Sequence, residues 1–226
     1  MMNADWEPLW LTFKLSLVTT CCLLVVGIPL AVLLAEMKSR LKPVAEALIS
    51  LPLVLPPSVL GFYLLLAFSP ASFPGRLLSS LFDVQLVFSF QGLVVGSVIY
   101  SLPFMVHPIQ AALQSLPTSL KEASMTLGKS SLVTFFRVIL PNSKAALISG
   151  IVLSFAHTLG EFGLVLMIGG NIPGITRLAS IAIYDEVESL NFHEAHLYSA
   201  ILLSVSFLIL LVVYIINRHF FTKRLF

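Results

Sequence analysis

Long apolar stretches alternate with shorter polar ones along most of the chain, and this pattern predicts helices rather than strands. At 1.5 Å per helical residue, five stretches are long enough to cross roughly 30 Å of hydrocarbon. They cover residues 9–35, 47–68, 87–106, 144–168 and 196–216. The pattern therefore predicts an all-α, polytopic membrane protein with about five transmembrane helices, forming a single transmembrane domain over residues 1–226.

The second stretch is interrupted by Pro52, Pro56 and Pro57, which remove backbone donors and disfavour helix before each ring. Two interpretations remain open. The stretch is either a broken helix lining a transport path, where protein or a cavity satisfies the freed carbonyls, or a loop that enters a shorter helix from about Ser58. The first stretch is not expected to be a cleaved signal peptide, because acidic Asp5 precedes it where such peptides are basic.

Two segments between the apolar stretches are more polar. Residues 107–143 predict a helical, non-spanning loop, whereas residues 169–195 contain Gly, Pro, Asn and acidic residues. An apolar piece, Leu178–Tyr184, lies within the second segment and predicts a short helix that enters the membrane without crossing it, because it is too short to span alone.

Composition supports a bilayer environment. The chain is 58% hydrophobic and 11% charged, with mean hydropathy +0.98, whereas a soluble domain carries about 25% charged residues. The net charge of +2 is uninformative, but ten of the 13 Lys and Arg residues fall in segments 36–43 and 107–144 and in the C-terminal tail. Because basic loops stay cytoplasmic, we predict a multi-pass protein of the cytoplasmic (inner) membrane, with its N-terminus outside and its C-terminus in the cytoplasm.

Neither the cysteines nor the histidines predict a metal or cofactor. Cys21 and Cys22 are neighbours, a spacing at which a disulfide is strained, and we interpret them as small buried residues. His193 and His196 stand three residues apart, but no third ligand follows at a matching spacing. We therefore predict no metal site and no cofactor.

A motif lies in the longest cytoplasmic loop. It consists of Glu122-Ala123-Ser124, three residues, Gly128, nine residues and Val138-Ile139-Leu140-Pro141. The spacing resembles the EAA loop of ABC importer permeases, whose pattern is Glu-Ala-Ala, three residues, Gly, nine residues, Ile, one residue and Leu-Pro. Ser124 and Val138 depart from the pattern but keep size and character.

The loop predicts a helix around 115–127 that ends at Gly128, since glycine accepts the backbone geometry of a C-terminal turn. A second helix runs from about Ser131 to Leu140, and Pro141 begins the next span. The resemblance implies that the first helix docks on a separate ATPase subunit, with Glu122 making polar contacts and small Ala123 and Ser124 allowing close approach. The alternative is a generic helical hairpin.

The same loop contains Gly128-Lys129-Ser130, which matches the end of a phosphate-binding P-loop. The first glycine of that motif would fall at Ala123, and the preceding residues predict helix rather than strand. We therefore predict that the chain is not an enzyme and that ATP is hydrolysed by a partner.

Three further segments resemble molybdate and sulfate permeases: Leu51–Pro57, Leu159–Gly163 and Gly170–Gly174 followed by Thr176. Gly-Glu-Phe-Gly followed by Asn-Ile-Pro-Gly is closer to the molybdate branch. The resemblance thus implies molybdate as cargo, with sulfate and tungstate as alternatives. Residues of these segments are our candidates for the translocation path or gate: Pro56, Pro57, Gly160, Glu161, Gly163, Asn171 and Pro173.

Glu161 has two interpretations. It is either a functional ionisable group near a membrane helix end, or a structural one that caps a helix or pairs with His157 one turn earlier. A carboxylate repels a dianion, and no Arg or Lys cluster lies midway along any span. This pattern fits an importer whose selectivity resides in an external binding protein.

The resemblance implies four kinds of partner: two copies of an ABC ATPase subunit, a periplasmic or extracellular oxyanion-binding protein, a second copy of the chain, and the lipid bilayer. No nucleic-acid partner is expected. An ion-coupled secondary transporter is the rival interpretation, but such folds show internal repeats and more spans. A membrane enzyme would need catalytic groups clustered at membrane depth, whereas the histidines are scattered.

Overall fold

The computed structural model describes residues 5–222, without the side chains of 78, 79, 81, 82 and 216–222, and all its regular secondary structure is helical. The basic tail residues Arg218, Lys223 and Arg224 therefore lie outside the described side chains. The helices are α1 (Glu7–Glu36), α2 (Lys42–Val54), α3 (Pro57–Phe68), α4 (Phe73–Phe82), α5 (Phe90–Ser115), α6 (Thr118–Thr126), α7 (Ser131–Thr134), a π-helical turn (Phe135–Ile139), α8 (Leu140–Asn142), α9 (Lys144–Leu159), α10 (Gly163–Gly169), α11 (Ala179–Glu188) and α12 (Phe192–Thr222).

Three of these helices are long and apolar enough to cross a membrane unaided: α1, α5 and the part of α12 from Phe192 to Ile215. Two further pairs qualify only together. α2 and α3 meet at 111°, and the segment Ser131–Asn142 meets α9 at 74°. The described chain thus has three spans, or five if each bent pair counts as one, and five is the number predicted.

The core is built around α1, which packs along α5 and α9. Leu15 packs with Leu93 and Ile181 in one apolar cluster, and Leu23 packs with Met105 in a second. Three buried hydroxyls of α1 are satisfied within the helix: those of Thr12, Ser16 and Thr20 donate to the carbonyl four residues earlier, at 2.7–2.9 Å.

The proline-rich stretch folds as two helices rather than one span. α2 begins at Lys42, five residues before the predicted start at 47, and ends at Val54. Leu55 and Pro56 are extended, and α3 begins at Pro57, where a missing N–H costs nothing. The helix is therefore broken, as the first interpretation expected. The loop of the second interpretation is wrong, because residues 47–54 belong to α2, although a shorter helix does begin at Pro57, next to Ser58.

α5 extends beyond the end predicted for the third span. It continues from residue 106 to Ser115, so the segment predicted as a loop from 107 begins as helix. Two polar side chains there are paired with α2: His107 Nε2 lies 3.0 Å from Ser50 Oγ, and Gln110 Nε2 donates to Glu46 Oε1 at 2.6 Å. Because these groups are satisfied, the polar residues do not end the helix.

The predicted fourth span, 144–168, is broken near its end. α9 stops at Leu159, Gly160 caps it, and α10 starts at Gly163. α10 packs on α3 and α5. The apolar piece in the following segment forms the start of α11, where Leu178 and Ile181 are fully buried in the protein core.

Candidate functional site

The polar segment after α5 folds into a structure that we call the hairpin, residues 118–142. α6 ends at Thr126, and Gly128 follows with a φ of 74°, in the left-handed region that favours glycine. Ser130 then caps α7, because its hydroxyl accepts a hydrogen bond from the Val133 amide at 3.4 Å. The predicted helix end at Gly128 and the second helix from Ser131 are confirmed.

A buried hydrogen bond joins the two arms of the hairpin. Ser124 Oγ and Thr134 Oγ1 lie 2.8 Å apart, and Ser124 is only 7% exposed. Glu122 and Ala123 are exposed. Of the three residues that open the motif, Ser124 thus stabilises the hairpin from inside, and Glu122 and Ala123 remain on its surface.

The end of the motif connects the hairpin to the membrane helices. Leu140 and Pro141 lie in α8, directly after the π-helical turn, and Ser143 ends this segment. The chain then bends by 74° into α9. The hairpin is therefore joined to the first turn of α9 through Ser143.

The hairpin also contacts the end of α1. Lys121 Nζ donates to Glu36 Oε1 at 2.6 Å, and both side chains are largely exposed. Between α1, α5 and the hairpin lies a small cavity of about 130 Å³. Residues from all three elements line it, including Val32, Leu113 and Phe135. The ion pair between Lys121 and Glu36 is exposed, and such a pair contributes less than about 1 kcal/mol. This ion pair between the hairpin and α1 is therefore weak enough to break and re-form.

A second group of polar residues lies at the break between α9 and α10. Glu161 is 3% exposed and its side chain is fully buried. Its carboxyl group accepts hydrogen bonds from Ser97 Oγ at 2.5 Å and from Ser101 Oγ at 3.1 Å, both on α5. Ser180 Oγ donates to the backbone carbonyl of Glu161 at 2.5 Å. The residue thus connects three helices.

His157 completes this polar cluster, which we define as Ser97, Ser101, His157, Thr158 and Glu161. His157 Nδ1 lies 2.9 Å from Ser101 Oγ and 3.7 Å from Glu161 Oε1. The contact with Glu161 agrees with the pairing expected from their spacing of four residues. Thr158 Oγ1 lies 3.0 Å from Ser101 Oγ, so Ser101 is the central group of the cluster.

Two aromatic rings hold the imidazole of His157. The ring of Phe104 stacks on it with centroids 4.2 Å apart, and the ring of Tyr100 meets it edge-on at 4.5 Å. Aromatic pairs at these distances are favourable and fix ring orientation. His157 therefore occupies one defined position at the end of α9.

The cluster borders an open cavity of about 620 Å³, which we call the central cavity. Its lining comes from the ends of α3, α9 and α10, the break between α9 and α10, and the middle of α5: Pro57, Ser58, Tyr100, His157, Gly160, Glu161, Phe162 and Gly163. Gly163 has a packing role as well, since a Cβ there would lie 3.3 Å from Cβ of Pro57. Pro57, Gly160, Glu161 and Gly163 are thus brought together, and Pro56 precedes them as the N-cap of α3.

The remaining two candidates lie apart from the central cavity. Pro173 is exposed, and Asn171 Nδ2 donates to Asp185 Oδ2 at 2.7 Å. Arg177 pairs with Asp185 at 3.3 Å. Asn171 is therefore part of a polar network that fastens the loop before α11.

Sequence reasoning missed Ser97, Ser101, Tyr100 and Phe104. Their spacing places them on one side of α5, and the sequence alone could have shown this shared face. It could not show their partner, because Ser97 and Ser101 are 64 and 60 residues from Glu161. His193 and His196 are exposed, and no group of three metal-binding side chains occurs among the described residues.

Bilayer-length apolar helices, a polar hairpin between two of them and a polar cavity at the helix breaks together define a multi-pass membrane permease. The chain belongs to the family described as the binding-protein-dependent transport system inner membrane component, whose model matches residues 27–225.

Individual relatives and one solved structure are similar to this chain. The molybdenum transport system permease protein ModB of Azotobacter vinelandii is 45% identical over 214 residues, covering 95% of each chain. The sulfate transport system permease protein CysT of a Synechocystis strain is 35% identical over 177 residues, 78% of this chain and 62% of the relative. A MetNI methionine ABC transporter chain, in an inward-facing conformation, shares the fold with a TM-score of 0.71 at 18% identity and covers 94% of each chain.

Proposed function

We propose that this chain is the permease subunit of an ABC importer that moves molybdate across the cytoplasmic membrane. The observation that carries the proposal is the 45% identity with a molybdenum permease over 95% of both chains. The EAA-like motif supports the same class of transporter, because it lies in the hairpin between α5 and α9, where Glu122 and Ala123 are exposed.

The proposed assembly contains two copies of this chain, each a single membrane domain, two ATPase subunits and one external oxyanion-binding protein. The chain itself performs no catalysis, and the ATPase subunits supply the energy. The hairpin faces the cytoplasm in this assembly, so the N-terminus is outside and the C-terminus inside. The distribution of Lys and Arg supports this orientation.

Coupling follows from the way α9 connects the two sites. Glu122 and Ala123 present the exposed surface of the hairpin to the ATPase. α9 begins directly after the hairpin at Lys144 and carries His157 near its other end. At 1.5 Å per residue, these positions are about 20 Å apart along a rigid helix. Movement of the hairpin therefore moves the wall of the central cavity.

The proposed translocation path runs through the central cavity, with Pro57, Gly160, Glu161 and Gly163 at its wall and Pro56 at the helix break. The loop that contains Asn171 and Pro173 would form the outer entrance. Its neighbour Gly174 lies against Glu7 at the start of α1, the end of α1 that the proposed orientation places outside.

Sulfate is the second candidate cargo, because a sulfate permease is 35% identical over 78% of this chain. Tungstate is a third, because it has nearly the size and charge of molybdate. The test is ATP-dependent uptake of labelled molybdate into vesicles that contain this chain, its ATPase and its binding protein. Unlabelled sulfate and tungstate serve as competitors, and vesicles without ATP or without binding protein serve as controls.

Molybdate uptake that tungstate blocks and sulfate leaves unchanged is the expected result. Uptake of sulfate without molybdate would overturn the cargo and retain the class of transporter. Accumulation of molybdate without ATP would overturn the proposed class, because a secondary transporter is driven by an ion gradient instead.

A further inference from the structure

The central cavity has an unusual lining for the path of an anion. Within the described residues it contains no Lys or Arg, and its one carboxyl group, that of Glu161, has a fully buried side chain. The polar side chains that remain are the hydroxyls of Ser58 and Tyr100 and the imidazole of His157. Side-chain contacts with an anion in this cavity therefore come from neutral donors, or from a proton that His157 and Glu161 share.

The hydrogen bonds determine which ring nitrogen of His157 is available. Nδ1 is engaged by Ser101 Oγ at 2.9 Å. Nε2 makes no hydrogen bond to any described residue, and the side chain is 20% exposed where it lines the central cavity. Nε2 is therefore the ring nitrogen left to bind a solute.

The same hydrogen bonds allow two arrangements in which Nε2 carries a hydrogen. Ser101 has a single proton to donate, and Ser101 Oγ contacts both Glu161 Oε1 and His157 Nδ1. If Ser101 donates to Nδ1, a protonated Glu161 donates to Ser101. If Ser101 donates to Glu161, Nδ1 carries a hydrogen, and Nε2 carries one as well when the imidazole is the counter-ion of an ionised Glu161. In both arrangements the Glu161–His157 pair is neutral overall and Nε2 bears a hydrogen.

The alternative is an ionised Glu161 beside an imidazole protonated only at Nδ1. That arrangement leaves a buried carboxylate without a compensating charge, which is strongly unfavourable. In the two arrangements described above, Nε2 is the hydrogen-bond donor of His157 on the side of the central cavity.

We infer that His157 Nε2–H is the contact in the central cavity for a tetrahedral oxyanion in transit. Ser101 and Glu161 act as positioning residues that fix its donor orientation, and the inference rests on the proposed function. Phe104 and Tyr100 already hold the ring in place by their ring contacts. The His157 side chain therefore loses little further conformational freedom when it contacts an anion. A single donor without a fixed cationic side chain binds weakly, and a transport path requires a site that releases its ion.

Two substitutions separate the roles of the two ring nitrogens. In His157→Asn the amide reaches about as far as Nδ1, so it can bond Ser101 but offers nothing at the position of Nε2. In His157→Gln the amide nitrogen reaches about as far as Nε2 and can donate into the cavity. Both variants are polar and of similar size, which makes them matched controls for membrane insertion and assembly.

The experiment measures labelled molybdate taken up per ATP hydrolysed, in vesicles that contain the complete transporter. We expect His157→Asn to lower this ratio about tenfold and His157→Gln to remain within about threefold of the wild type. ATP hydrolysis stimulated by the binding protein should change little in both. Equal uptake ratios in the two variants, whether high or low, would overturn the inference.

A direct measurement complements the transport ratio. In the transporter labelled with ¹⁵N-histidine, molybdate should shift the Nε2 resonance of His157, which is identified by its loss in His157→Gln. An unmoved resonance would also overturn the inference. If wild-type vesicles import sulfate and exclude molybdate, the cargo proposal fails separately. The Asn and Gln variants measured with sulfate still decide the role of His157, because both anions are tetrahedral dianions.

Discussion

Glu161 illustrates how a membrane protein can keep a carboxyl group away from both lipid and water. Its side chain is fully buried, and two serine hydroxyls from α5 donate to it. The residue therefore acts on the central cavity through the groups it holds rather than by touching a solute. This arrangement resolves the conflict between a carboxylate and a path for dianions.

We expect Glu161→Leu to destabilise the permease by about 3 kcal/mol, because Ser97 and Ser101 lose their acceptor inside an apolar bundle and an unpaired buried hydroxyl costs about 1–3 kcal/mol. Glu161→Gln keeps the shape and one acceptor and should cost less than half as much. Thermal unfolding of the purified complex in detergent measures the difference. Glu122→Leu, at an exposed position, is the control and should change stability by less than about 0.5 kcal/mol. Equal stability of the two Glu161 variants would contradict this account.

The sequence predicts only part of this cluster, for a physical reason. The contact between His157 and Glu161 follows from their spacing on one helix turn. The bonds from Ser97 and Ser101 depend on how α5 packs against α9, and no local pattern determines that packing. Ser124 is a similar case: its size suggested an exposed surface, but its hydroxyl bonds to Thr134 across the hairpin.

At the scale of elements, the turn of the hairpin depends on glycine. Gly128 has a φ of 74°, and a Cβ there would meet nothing within 4 Å. The effect of Gly128→Ala is therefore one of backbone conformation alone, about 1 kcal/mol. Because of this cost, the state in which the turn of the hairpin is unfolded should become about fivefold more populated. Trypsin should then cleave after exposed Lys129 correspondingly faster.

The control for this experiment is Gly160→Ala. Gly160 has a φ of −96°, and the nearest atom to a Cβ there would be 3.8 Å away. Cleavage after Lys129 should keep its wild-type rate in this variant. An unchanged rate in Gly128→Ala would show that the hairpin does not require the left-handed conformation.

Helix ends were harder to predict than helices. The first apolar stretch identifies α1 almost to its full extent, because length and hydropathy suffice there, whereas α12 begins four residues before the fifth stretch and ends six residues after it. The third stretch ends at residue 106, while α5 continues to Ser115. Polar His107 and Gln110 end the apolar pattern but not the helix, since their partners on α2 satisfy them. Partners that are distant in sequence cannot be recognised from hydropathy.

For the whole molecule, orientation is the property that the proposed function most requires. We expect a cysteine at position 189 to react with a membrane-impermeant maleimide in intact cells, and a cysteine at 129 only after permeabilisation. The substitutions are Ser189→Cys and Lys129→Cys, both at exposed positions. Cys21→Ala and Cys22→Ala supply the background without native thiols. Labelling in the opposite order would place the hairpin outside and remove its access to an ATPase.

The bends between consecutive helices determine where the helix ends lie. α2 meets α3 at 111°, and the hairpin meets α9 at 74°. The break before α3 and the break between α9 and α10 place the ends of these three helices around the central cavity. The hairpin and the cavity are thus connected through a single straight element, α9.

The bonded series from Ser97 through Glu161 and Ser101 to His157 also affects the energy supply of the cell. A hydrogen-bonded chain of such groups that crossed the whole bilayer would conduct protons and discharge the proton-motive force. Among the described residues, this hydrogen-bonded chain reaches the central cavity at the side chain of His157. Ser97, at the other end, is fully buried, and its hydroxyl donates back to Glu161. A proton that enters from the cavity therefore returns to it, and the permease holds ionisable groups within the membrane without becoming a leak.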